Sequence, residues 1–283
     1  MKRFSQWSPL TYKIAVEKNI AQRKVKDALS GTKFASQRQS EPLPHLIYAH
    51  NSLIRRTLGQ VDPRLQDNKA VSLGLAAPCV DGILIAPGET FSFWRLVGRC
   101  TEKRGYLPGM VLHNGVPQEG VGGGMCQFTN LLHWMALHSD LTITERHHHD
   151  DYDLFPDFGR QVPFGVGTSI LYNYLDYRLR NDTETLWQIL VHSDGQYLRG
   201  ELRCSAPMEH VWHVSCEEEY FSREMGQWYR NNKVFRRKVD KITGQTVEKT
   251  LLQQAHARVL YDERYIDPRK RKDVEPYDHL PTF

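Results

Sequence analysis

Between residues 169 and 204 the chain alternates and turns on a beat of about ten residues, a pattern few folds accommodate. Leu171, Leu175 and Leu179 share one parity, and Tyr172, Tyr174, Asp176 and Arg178 share the other. Strand side chains point alternately to the two faces of a sheet, so this is the pattern of a half-buried strand. Asn181-Asp182-Thr183 breaks the run, 186–192 resumes it, Asp194-Gly195 breaks it again, and 197–204 follows. Asn, Asp and Gly supply tight turns, so 168–204 reads as three consecutive antiparallel strands turning at 181–184 and 193–195. Connections this short exclude a wholly parallel sheet. An aromatic content of 11% suits a strand-rich fold.

Helical spacing occurs upstream. Over 11–29, Ile14, Ala21, Val25 and Ala28 form a stripe, and the spacing predicts a helix packed on the core by that stripe. Residues 1–45 carry nine Lys and Arg against three Asp and Glu, so a membrane-surface contact through this basic segment is a second reading. The net charge of the whole chain is only +4, and no nucleic-acid partner is expected. Leu46, Ile47, His50, Leu53, Ile54 and Leu58 predict a second helix over 45–58, ended by Gly59. From Ala70 the texture reads as strands, with 83–85 and 142–146 the clearest. A β-hairpin is expected from 233–240 and 245–251 around Ile242-Thr-Gly244. The charged, Pro-bearing segment after Tyr261 reads as a mobile tail.

The expected fold is therefore α+β: N-terminal helices, a mainly antiparallel β core, and a C-terminal hairpin. The segments are a basic helical extension over 1–44, a core over 45–204, a hairpin region over 205–261 and a tail over 262–283. Lys2 and Arg3 are not followed by an apolar stretch, so neither a signal peptide nor a transmembrane segment is expected, and the default location is cytoplasmic. Five cysteines without a Cys-x-x-Cys pair read as free thiols rather than a disulfide framework.

Gly120-Val-Gly-Gly-Gly-Met-Cys126 runs into Phe128, Leu131, Leu132 and Met135, a helical apolar spacing. Cys126 is thus expected at a helix N-terminus, where free N–H groups and the dipole favour a thiolate. Such a cysteine is a nucleophile. N–H groups of Gly122, Gly123 and Gly124 would hold an oxyanion, with Gln127 or Thr129 as side-chain donors. Two plainer readings stand beside this one: a tightly packed turn with an inert cysteine, and a phosphate-cradling loop, although the Gly-Lys-Ser/Thr ending of a P-loop is missing. The base would come from Glu145-Arg-His-His-His-Asp-Asp151, where His147 and His149 share a face, or from His113. Asp150, Asp151 or Asp153 would orient it. The return strand should bring His147 or His149 within about 4–6 Å of the sulfur. The histidine cluster also reads as a solvated rim or a metal site, though its spacing matches no named zinc motif. Asp176 and Arg178 read as a surface ion pair or, more sharply, as a carboxylate-binding pair near the site. Cys79, Cys100, Cys204 and Cys216 lack such surroundings.

Six elements in order then carry a family resemblance. They are Pro87-Gly-Glu-Thr-Phe-Ser-Phe-Trp94, Val97-Gly98, Arg104-Gly-Tyr106, Gly122-Gly-Gly-Met-Cys-Gln127, Glu145-Arg-His-His-His149 and Asp176-Tyr-Arg-Leu-Arg-Asn181. Together they resemble the VanW family, named for a protein of glycopeptide-resistance clusters, across about 45–261. The resemblance implies a role in glycopeptide resistance or cell-wall metabolism. In some members the cysteine matched by Cys126 is taken as the nucleophile of an L,D-transpeptidase-like reaction on peptidoglycan peptides. His147 and His149 match the family's Arg-His-x-His element, and the 233–251 hairpin resembles the segment following the core. The implied partner is a peptide or cell-wall precursor, no cofactor is needed, and the implied location is the cell envelope. Phe128-Thr129-Asn130 stands where many members have a Ser/Thr-rich run. Three functions are carried forward: a cysteine acyl transferase, a non-catalytic module binding a precursor or glycopeptide, and a metal-dependent hydrolase. The oligomeric state is left open.

Overall fold

The computed structural model describes residues 8–56, 62–113, 116–148, 152–172 and 174–272; for Pro9, Leu112, His113, Val116 and Pro117 it describes the backbone alone. In chain order it contains helix α1 (Pro9–Leu29), strand β1 (His45–Leu53), helix α2 (Pro63–Val80), strands β2 (Ile83–Ile85) and β3 (Thr90–Ser92), and short helix α3 (Phe93–Val97). Strands β4 (Pro108–His113) and β5 (Val116–Val121) precede helix α4 (Met125–Ala136) and strands β6 (Thr142–Glu145), β7 (Tyr152–Asp153) and β8 (Arg178–Arg180). Then come β9 (Trp187–Ser193), β10 (Tyr197–Cys204), β11 (His210–Glu224), β12 (Gln227–Asp240), β13 (Thr246–Val259) and β14 (Arg271–Lys272). The fold is α+β with mostly antiparallel sheets.

The central sheet runs β1-β10-β9-β2, and α2 and α4 pack on it. The core between them holds Trp187, Ile189, Leu198, Phe128, Leu131, Leu132, Leu73 and Ala76, all buried. Gly200 on β10 lets α4 come close: a Cβ there would lie 2.8 Å from Met135 Cε and 3.0 Å from Leu131 Cδ2. A three-stranded sheet, β3-β8-β6, and a hairpin, β4-β5, flank this core. The long strands β11, β12 and β13 form a second sheet, with β14 and β7 added in parallel at its edges.

Several expectations change. Residues 45–53 form a strand, not a helix. A β-bulge between Leu46 and Tyr48 turns Ile47 and Tyr48 inward together, and this doubled apolar position imitated helical spacing. Residues 63–80 form a helix where strands were expected from Ala70. Its start is an Asp62 cap with Pro63 in the first turn, and its buried face is built from Ser72, Leu73, Ala76, Ala77 and Val80, small residues that blur the period. Residues 168–177 are not a regular strand. The chain folds back through a Leu171–Leu175 bridge, and β8 pairs with β3 and β6 rather than with β9. Only β9 and β10 keep the expected antiparallel pairing. The expected hairpin is present but longer, and β11 joins it. The first part of the tail is docked: Ile266 is buried against Phe221 and Val259, and β14 pairs with β11.

Helix α1 has Ser8 and Thr11 as a reciprocal cap. The stripe expected to pack, Ile14, Ala21, Val25 and Ala28, faces outward. The inward side is Val16, Ile20, Arg23 and Asp27. Among the described residues no helix is long and apolar enough to cross a membrane.

Candidate functional site

Cys126 is the second residue of α4, and Gly124 caps that helix with φ 103°. Each glycine before it fills a place with no room for a side chain. A Cβ on Gly122 would lie 2.7 Å from Cys100 Cβ, one on Gly123 2.4 Å from the Gly109 carbonyl carbon, and one on Gly124 2.4 Å from Lys69 Cγ. The Gly122 and Gly123 N–H groups donate to Leu107 O and Gly120 O, both at 3.3 Å. Gln127 donates to Ser52 Oγ and Leu53 O at 2.9 Å, and Thr129 meets Thr168 Oγ1 at 2.6 Å. These proposed donors are thus engaged in holding the loop and α4 against β4, β1 and the 168–170 segment.

The thiol sits in an unexpected environment. Burial pushes the Cys126 thiol up, and N–H bonds from Ile170 and from Cys126 itself only partly offset this. The helix N-terminus therefore does not win, and the expectation of a thiol lowered toward neutrality is corrected. Along 168–170 successive N–H groups alternate in direction. Thr168 donates to Asn130 Oδ1 at 2.6 Å, Ser169 donates to His147 O at 2.6 Å, and Ile170 faces the Cys126 sulfur. This segment thus lies between the α4 N-terminus and the histidine run.

His147 Nε2 bonds Glu145 Oε1 at 3.0 Å, and among the described residues no hydrogen bond joins it to Cys126. His149, Asp150 and Asp151 lie outside the described residues, and His113 outside the described side chains. Asp153 accepts from Arg230 in the second sheet and from Tyr261 just after it. Among the described residues no group of three or more His, Cys, Asp or Glu is arranged to hold a metal ion.

Glu145 belongs to a buried ionic network. It binds Arg23, His147 and the Asp176 N–H. Burial alone would raise its carboxyl, but those hydrogen bonds outweigh it and hold the group below its usual value. Arg178 grips Asp27 with Nη1 at 2.9 Å and Nη2 at 2.5 Å, and gives Nε to Asp176 at 2.8 Å. Asp176 is fully buried and also accepts from Ser92 Oγ and the Trp94 and Tyr177 N–H groups. Both readings of this pair are corrected: it is buried rather than at the surface, and the Arg178 fork is filled by Asp27.

Two side chains escaped the sequence reading. His133 stands seven residues after Cys126 on the same face of α4. It bonds Tyr177 Oη at 3.2 Å, and burial, aided by Arg146, His148 and Arg236, holds it well below its ordinary value, as a neutral imidazole. It lines a cavity of about 150 Å³ with Leu137, Ile143, Arg146, Val166 and Leu252. Arg146 is anchored there by Gly165 O at 2.6 Å and Gln253 Oε1 at 3.2 Å. The i, i+7 relation of Cys126 and His133 was the available signal. The second is Lys69 on α2, whose stem covers Gly124 and whose ammonium bonds Gln66 Oε1 at 2.6 Å. Burial, with Arg56 and Arg55 nearby, brings it down to about 8. Its spacing from Leu73 and Ala76 would have revealed it had 63–80 been read as helical.

The cavity beside His133 can therefore hold a small aliphatic group, and at the other end of α4 the buried Lys69 covers the glycine loop. Comparison with known proteins is consistent with these motifs. The model of the VanW family, described as VanW-like protein, matches residues 68–203. The chain is 33% identical over 231 residues to the vancomycin B-type resistance protein VanW of Enterococcus faecalis (strain ATCC 700802 / V583), covering 82% of this chain and 84% of that protein. It is 30% identical over 117 residues to the uncharacterized protein YoaR of Bacillus subtilis (strain 168), covering 40% of this chain and 36% of that one. No solved structure matches. With a match of that extent to VanW itself, and with the glycine loop, Cys126 and the Glu145–Asp176–Arg178 network all inside the matched segment, this chain belongs to the VanW family.

Proposed function

We propose that this chain serves glycopeptide resistance or cell-wall metabolism as a binding module that holds a cell-wall precursor peptide along the α4 face. The relative named for vancomycin resistance supports the setting. One observation carries the choice of binder over enzyme: Cys126 is pushed up by burial and bonded by Ile170, while His147 is bonded to Glu145 rather than to the thiol. A cavity of 150 Å³ is too small for a whole ligand and suits one alanine- or valine-sized side chain.

Calorimetric titration with a stem pentapeptide, its depsipeptide analogue and vancomycin tests this. Stoichiometric binding that persists in Cys126→Ser is expected. The pH profile of Cys126 alkylation should match a thiol of pKa about 8.5 or above, with His147→Ala and His149→Ala unchanged from wild type.

A second reading, a cysteine-dependent acyl transferase of the L,D-transpeptidase type, is favoured by the place of Cys126 on the first turn of α4 behind three glycines. In it the Cys126 thiol gives its proton to His147 or His149 and its sulfur attacks a peptide carbonyl, the peptide C–N bond breaks with that proton passing to the departing amine, and an acceptor amine then displaces the cysteine from the thioester. An acyl adduct on Cys126 after incubation with the pentapeptide, together with early alkylation lost in one histidine variant, would replace the binder with this enzyme.

A further inference from the structure

Helix α1 is inside out. A surface helix buries its apolar stripe and wets its charges, whereas α1 turns Arg23 and Asp27 inward beside Val16 and Ile20 and leaves its wider apolar stripe outward. Arg23 reaches Glu145 and Asp27 reaches Arg178, so α1 is fastened to the body by ion pairs around Ile20. On the other side Leu10, Ile14, Val25 and Leu29 are 67%, 50%, 58% and 81% exposed. At 100° per residue these four, with the exposed Ala21 and Ala28, fall in an arc of about 100°. That arc lies opposite Val16, Ile20, Arg23 and Asp27.

The borders of the stripe are basic. Lys26 lies about 60° beyond Leu29 on one side, Lys24 and Lys13 lie about 40° and 60° beyond Leu10 on the other, and Lys18 stands within the arc beside Leu29. None of these four lysines has an ion-pair partner among the described residues, whereas the acid at the Lys13 and Lys24 border, Glu17, is taken by Arg99 at 2.7 Å. An apolar stripe with lysines on both borders fits the boundary between acyl chains and anionic head groups. The aliphatic residues enter the boundary, and the lysine stems reach back to the phosphates. A second copy of the chain suits the stripe less well, because a two-fold contact would set these lysines against their own symmetry mates.

We propose that the outward face of α1 binds an anionic lipid surface and that the ionic network of Arg23, Asp27, Glu145 and Arg178 holds the body of the protein against it. This does not depend on whether the α4 site binds or catalyses.

The test is co-sedimentation of the full chain with phosphatidylglycerol–phosphatidylcholine vesicles and with pure phosphatidylcholine vesicles, at low and high salt. The expected result is binding to the anionic vesicles that weakens with salt. Ile14→Asp and Val25→Asp should each reduce partitioning about tenfold or more. Lys13→Gln and Lys18→Gln should each reduce it about fivefold. Circular dichroism and melting temperature should stay at wild-type values in all four variants, because these positions are exposed. The proposal is overturned if wild type ignores anionic vesicles, if it binds neutral ones equally well, or if binding survives the aspartate variants. Self-association that those variants abolish, without vesicle binding, overturns it in favour of a second copy.

Discussion

Lys69→Met should make this protein more stable below about pH 8, with the gain fading as pH rises toward 10. The Lys69 ammonium is buried with Gln66 Oε1 as its bonding partner, and burial brings it to about 8. In the unfolded chain a lysine titrates near 10.4. A gap of roughly 2.4 units at about 1.4 kcal/mol per unit means the charged form costs about 3 kcal/mol in the folded state. The folded protein releases this proton first. Between about pH 8 and 10.4 the unfolded state therefore holds more protons, and wild-type stability gains a rising contribution with pH. Below about pH 8 both states are protonated and the full cost applies. Methionine removes the charge, keeps the stem against Gly124 and forfeits the Gln66 bond, worth about 1 kcal/mol. The net expectation at pH 7 is about 2 kcal/mol of added stability, or about 5 °C in melting temperature. Urea denaturation of wild type and variant at pH 7 and at pH 10 reads the difference, and subtracting the two proteins cancels every other titrating group. A variant no more stable than wild type at pH 7, or a difference unchanged at pH 10, would refute the reasoning.

Two further outcomes follow from the core of the site. Arg178→Ala should lower stability by about 3–5 kcal/mol in chemical denaturation, because it takes the cation from the fully buried Asp176 and leaves Asp27 with Arg23 alone. The Asp27 carboxyl, which burial would raise, is held below its usual value by Arg178 and Arg23, so its contribution is complete above the unfolded pKa near 4 and is lost as pH falls through the folded value; the variant should show a weaker acid dependence than wild type. Gly123→Ala would place a methyl carbon 2.4 Å from rigid backbone at Gly109, so an expressed variant should melt well below wild type, whereas Gly200→Ala, which meets the flexible end of Met135, should cost less.

Residues 197–204 alternate strictly and follow a turn, so strand β10 and its pairing with β9 were legible from local pattern, as was α4 from its glycine run and apolar period. Position in sequence also placed Cys126 on the first turn of α4. Failures arose where a local pattern carried two meanings. The bulge in β1 produced a helical spacing within a strand, and the alanine-rich face of α2 carried too little contrast to show its period. In α1 the amphipathic stripe was correctly found and wrongly assigned, since periodicity names a face but not what the face meets.

What the sequence alone determined is therefore local: the turn positions, the strand parity of β9 and β10, the helix behind the glycines, and the motifs that mark the VanW family. What only tertiary structure decided is which groups share an environment. Cys126 and His147 are 21 residues apart in sequence, and the intervening α4 and β6 made their meeting a reasonable inference from length. The 168–170 segment enters between them from further along the chain, taking Ile170 to the thiol and Ser169 to the His147 carbonyl. Likewise Arg178 meets Asp27 across 151 positions. A pKa is set by burial and by charges within a few ångströms, and neither quantity is encoded in the neighbours of a residue along the chain.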